Sequence, residues 1–163
     1  MIALTKLMSP PSMESLLDLV RWLDLECAEA EPESLQLQIL ARSIIAAGRE
    51  FAKRRMFPAD HPIVKTIHAA EAYVLDPAQD RLDSYYAAAT ASYPYGSGEG
   101  CYAVAELGYP GCQPGSGCAS GAGSLYSLAH DLGVDDLWRG IAKDLVPWLQ
   151  GESDPVASLL RSR

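Results

Sequence analysis

Residues Ser34 to Phe51, SLQLQILARSIIAAGREF, decide the fold class of this chain. Leu37, Leu40, Ile44, Gly48 and Phe51 recur at steps of three and four, the spacing that collects side chains on one face of an α-helix. Ser34 is placed to offer its hydroxyl oxygen as the N-cap. Gly48 costs about 1 kcal/mol relative to alanine in mid-helix. Its presence there marks a close helix crossing.

The same period extends in both directions. Towards the N-terminus, Leu16, Leu17, Val20, Leu23 and Cys27 predict a helix over 13–29, capped by Ser12 and separated from the next by Pro32. Towards the C-terminus, Pro58 and Pro62 bracket a turn, with Asp60 as cap and Pro62 near the first helical position. Ile63, Ile67, Ala70 and Val74 then form an apolar stripe. Asp76-Pro77-Ala78-Gln79 reads as a further helix start: an acidic cap, proline at the first position, and glutamine three after the cap. That helix runs to about Ser92 and carries Leu82, Tyr85, Tyr86 and the small run Ala87-Ala88-Ala89, which lets another helix approach closely.

After Tyr93 the composition changes. Nine of the thirteen glycines and three of the four cysteines fall within 96–123. A short helix over 99–107 fits inside this region, but GYPGCQPGSGCASGAG, residues 108–123, defeats both helix and strand. Long irregular segments within a domain are uncommon and tend to be functional or mobile. Helical pattern resumes over 124–131, breaks at Gly133, and continues from Asp135 with Leu137, Ile141 and Leu145, Trp138 and Trp148 lying beside them. Pro147 is expected to kink or end that helix. No period-2 alternation persists and no fixed repeat emerges. The sequence therefore predicts an all-α, single-domain helical bundle of six to seven helices. It divides into a flexible leader at 1–12, a helical domain at 13–150 with an irregular Gly/Cys-rich insert at 96–123, and a loose tail at 151–163 in which Val156, Leu159 and Leu160 can form a final turn.

Length and composition fit that reading. The 163 residues suit one core, and 48% apolar with 21% charged is ordinary for a globular chain. A formal charge of −8 argues against nucleic-acid binding, because phosphate backbones require Lys and Arg. The basic run Arg49, Lys53, Arg54 and Arg55 sits in the last turns of a predicted helix, where cations complement the dipole. No apolar stretch is long enough to span a membrane. The expectation is a cytoplasmic protein whose cysteines are reduced thiols.

The candidate chemical motifs are few. The glycine-rich region lacks the Gly-Lys-Ser/Thr of a phosphate loop, and Gly115-Ser116-Gly117-Cys118-Ala119-Ser120 ends in the wrong residue with no strand before it. Cys101, Cys112, Cys118 and His130 are the right ligand types for zinc, but their gaps of ten and five residues miss the paired spacing of structural sites. Cys118 precedes a predicted helix start, where a thiol is activated by the dipole. Gln113 is available for an oxyanion and His130 as a base. That set defines an alternative reading, a thiol-dependent enzyme or Cys/His metal protein centred on the insert. His68 and Glu71 stand three apart and suit a polar pair on a helix surface. His61 is a turn residue.

Tyrosines give the clearest signal for function. Tyr85, Tyr86, Tyr93, Tyr95, Tyr102 and Tyr109 cluster with Asp80, Asp83, Glu99 and Glu106. Tyrosine favours partner surfaces, where it buries area at low entropic cost; the alternative is that these rings pack the irregular segment against the helices, since tyrosine is intermediate in burial. The stretch HPIVKTIHAAEAY, residues 61–73, followed by Asp76-Pro77 and an Ala-rich helix, resembles the helical, alanine-rich immunity proteins of bacterial polymorphic-toxin systems. The likeness spans residues 33–92 and stops where the Gly/Cys-rich insert begins, so it assigns no binding residue. It implies a non-catalytic helical protein, without cofactor, that binds and neutralises a toxin. The leading expectation is a protein-binding bundle, an immunity or adaptor protein. Asp80, Asp83, Tyr85, Tyr86, Tyr93, Tyr95, Glu99 and Tyr102 would meet a partner with a basic surface.

Overall fold

The computed structural model describes residues 33–92 and 132–162, with isolated positions between residues 5 and 18. Its regular structure is five helices, and among the described residues there is no strand. They are α1 (Glu33–Arg54), α2 (Pro62–Leu75), α3 (Gln79–Ser92), α4 (Val134–Leu149) and α5 (Pro155–Arg161). The described chain is all-α. The segment 96–123, and with it the full helix count, lies outside the described residues. None of the described helices is long and apolar enough to cross a membrane.

Helix α1 is the centre. It packs against α2 on one side and α4 on the other, α3 packs on α2, and α5 sits on α4 and α2. A helix between two neighbours must be buried on more than one face. Accordingly Ile39, Ala41, Arg42, Ser43, Ile45, Ala47, Gly48 and Phe51 are all buried. Alanine, serine and glycine at four of these positions (Ala41, Ser43, Ala47 and Gly48) keep the helix thin enough for two partners. The core is completed by Ile63, Ile67, Tyr73 and Val74 of α2, Tyr85 of α3, Trp138, Ile141 and Leu145 of α4, and Val156 of α5. Side chains of Leu37, Leu40 and Ile44 lie outside the described set.

Helix ends follow capping chemistry, sometimes with residues other than those expected. Ser12 does accept the Ser15 amide at 3.0 Å, as an N-cap should, at the start of the helix expected from residue 13. The cap of α2, however, is His61 and not Asp60: its Nδ1 accepts the Ile63 amide at 3.2 Å, and its ring stacks on Phe57 with centroids 3.9 Å apart. Asp76 closes α2 rather than opening α3, its amide bonding to Ala72 O; α3 begins at Gln79. Ser34 likewise lies inside α1, which starts at Glu33.

Two helices end in the same left-handed motif. After α1, Met56 adopts φ 51°, its amide bonds to Lys53 O, and the Phe57 amide bonds to Ala52 O. After α4, Gly151 adopts φ 71°, its amide bonds to Trp148 O, and the Glu152 amide bonds to Pro147 O. This six-to-one and five-to-two pairing is the Schellman arrangement, and the Phe57–Phe51 ring contact (5.9 Å) supplies its usual apolar clasp. Helix α4 therefore does not stop at Pro147 but continues to Leu149. Proline removes one amide bond there, and the Schellman bonds that follow consolidate the end. The segment expected as a loose tail contains α5, opened by Asp154 and Pro155 in the cap-then-proline order.

Candidate functional site

Charged side chains thread the apolar interior between α1, α2, α4 and α5. Arg42, only 2% exposed, directs Nη1 and Nη2 at the two carboxylate oxygens of Asp154, each at 2.7 Å. The same Asp154 carboxylate accepts the Ala157 amide at 3.0 Å and so caps α5. Above the guanidinium lies the Trp148 ring, 4.0 Å from its central carbon, in cation–π contact. Two turns along α1, Arg49 donates from Nε (2.7 Å) and Nη2 to Oε1 of Glu71, which is buried on α2.

Asp144 on α4 faces this row, near Arg42, Arg49, Lys143 and Asp154. Burial holds its carboxyl above the ordinary range, and the neighbouring cations only partly offset that. Asp154 goes the other way. Its hydrogen bonds to Arg42 hold it below the ordinary range, with help from the Ala157 and Val156 amides. Arg49–Glu71 and Arg42–Asp154 are thus two ion pairs two turns apart on α1, and Asp144 lies within electrostatic reach of both arginines.

A second feature is a cleft of about 370 Å³ between α1 and α4, lined by Ala46, Ala47, Glu50, Arg54, Leu132, Asp136, Leu137 and Gly140. Arg54, one of its lining residues, bonds Glu50 (2.9 Å), Asp136 (3.2 Å) and the Leu132 carbonyl (3.1 Å). Glu50 is the main reason its guanidinium is held above the usual value. Of the basic run, Arg49 and Arg54 are thus committed to pairs within the chain, and Arg55 lies over the Phe51 ring at 5.4 Å.

The partner residues expected from sequence divide sharply. Asp80 and Asp83 are exposed on α3, one turn apart, and Gln79 donates to Asp83 at 2.8 Å. Tyr86 is half-buried beside them. Tyr85 is not a surface residue: it is 1% exposed, stacks near Tyr73 (6.2 Å), and burial raises its hydroxyl pKa. Its ring belongs to the core because α3 turns this face onto α2. Tyr93, Tyr95, Glu99 and Tyr102 lie outside the described residues. So do Cys101, Cys112, Gln113, Cys118 and His130. Among the described residues no three His, Cys, Asp or Glu side chains are grouped to hold a metal. His68 and Glu71 do not form the expected surface pair, since His68 is exposed and Glu71 points inward to Arg49.

The buried row was not anticipated, although it left two signals. An arginine amid Ile39, Ala41, Ser43 and Ile45 occupies a core position, and a buried cation requires an anion. Asp154-Pro155 spells a helix start. The pairing of the two is a tertiary fact. No known protein family, curated protein or solved structure matches the chain.

Proposed function

We propose that this protein acts without catalysis, by binding another protein through the acidic face of α3. A toxin-neutralising immunity protein, or an adaptor, is the form that the sequence resemblance favours. The observation that supports the reading is the exposure of Asp80 and Asp83 one turn apart beside Tyr86, on a helix whose main packing partner is α2. Two carboxylates on an open helix face attract a basic surface and raise its association rate, while the half-buried tyrosine gives a fixed apolar contact.

The test is a tagged chain expressed in its own host and cross-linked at low salt. A basic partner should be captured by the wild type and by Asp60→Lys, which reverses an exposed charge elsewhere. Asp80→Lys/Asp83→Lys should lose it at least tenfold. Equal capture by all three proteins would sink the reading. For the immunity form, co-expression with a toxic product of an adjacent gene should restore growth, and the α3 variant should not.

A further inference from the structure

The contact between Arg42 and Asp154 has the anatomy of an occupied receptor. The guanidinium is fixed under an indole ring, almost wholly buried, and it offers a planar two-pronged fork to a carboxylate. Proteins bind free carboxylates by this geometry, because fork and carboxylate match in plane and spacing. Arg42 Nε is buried and has no hydrogen-bond partner among the described residues, so the receptor holds donor capacity that Asp154 does not use.

The element that carries the occupant is short: helix α5 has seven residues, of which Val156 and Ala157 are buried and Leu160 packs against the core, while Leu159 remains 46% exposed. Residues 150–153 are exposed or nearly so, and their amides bond back to carbonyls of α4. The end of α4 therefore stays closed when the chain beyond it lifts. Asp144, within electrostatic reach of both arginines, makes no hydrogen bond or ion pair among the described residues.

We propose that Arg42 and Trp148 form a carboxylate-binding site which Asp154 fills in cis. An acidic residue opening a helix of a partner protein takes its place when α5 lifts away. This does not depend on the α3 surface. A buried guanidinium cannot be left without an anion, so exchange of one carboxylate for another is the low-cost route by which α5 leaves.

The probe is a fluorescent peptide of this chain's own residues 152–163, ESDPVASLLRSR, with a control in which its aspartate is asparagine. The full-length Asp154→Ala chain should bind the probe on the order of tenfold more tightly than wild type, because the tethered competitor is gone. The asparagine peptide and the Arg42→Met/Asp154→Ala chain should not bind. Saturating probe should also speed deuterium exchange of the α5 amides in wild type. If Asp154→Ala does not fold, Asp154→Asn keeps the shape and removes the charge, with the same expectation. Equal binding of the two peptides, binding retained without Arg42, or no binding to any chain overturns the proposal.

Discussion

Met56 shows how a single residue can hold a conformation that its chemistry disfavours. At φ 51° with its side chain 87% exposed, it bears the left-handed strain of the α1 terminus without packing in return. Met56→Gly is expected to raise stability by about 0.5–1 kcal/mol, the left-handed penalty less the added freedom of the unfolded chain. A urea melt with an unchanged m-value checks it. Asp144 is the second such residue. Its folded pKa is raised, so its ionisation opposes folding: the penalty is absent in acid, below the unfolded value, and is complete once pH exceeds the folded one. Asp144→Asn should therefore melt higher than wild type at neutral pH, and the difference should vanish in acid. Asp154 has the opposite sign. Its stabilisation is full above the unfolded carboxylate range and is lost as pH falls through its depressed folded value.

At the scale of elements, packing between helices rests on a few polar ties as well as on the core. Thr66, fully buried, donates its hydroxyl within reach of both Pro62 O and Ala88 O, each at 3.1 Å, and so links α2 to α3. That approach is possible because Ala88 and Ala89 present no bulk, the reason the alanine run was legible as a contact. Thr66→Val should cost about 1 kcal/mol, the net worth of a buried hydrogen bond, with little change in helix content by circular dichroism. Loss of Asp154 should cost more, roughly 2–3 kcal/mol for Asp154→Ala, because the cap of α5 and the partner of Arg42 disappear together; the partial exposure of the carboxylate keeps this below the range for a fully buried pair. The existence of α1 to α4 was readable from period and punctuation alone. Their ends were less so. His61 outcompeted Asp60 as a cap by also stacking on Phe57, and Pro147 was tolerated by the Schellman turn that follows it.

For the whole molecule, charge is unevenly distributed. Residues 33–92 and 132–162 hold ten of the thirteen Lys and Arg but twelve of the twenty-one Asp and Glu. The described helices are thus near balance, and most of the surplus acid belongs to the remaining sequence. Association through α3 should consequently show a local, moderate salt dependence. Raising ionic strength from about 0.01 to 0.15 M shortens the screening length from roughly 30 to 8 Å. The association rate should fall over that range for wild type and hardly change for Asp80→Lys/Asp83→Lys, as stopped-flow mixing would report. How far the site was legible follows from the same contrast. Exposed carboxylates on α3 could be read from sequence, whereas Tyr85 could not be assigned a face until α2 was seen against it. Arg42 and Asp154, 112 positions apart, could not be paired by any local pattern.

Arg42 and Arg49 are seven residues apart on α1, two helical turns, and each finds its carboxylate on a different neighbour. Sliding α1 by one turn, about 5.4 Å, would leave its greasy surface nearly as well covered, yet would strand Arg42 in a dry interior and part the half-buried Arg49 from Glu71. The pair of arginines thereby acts as a vernier: apolar contact makes the helices adhere, and the two charges set the single alignment at which they do.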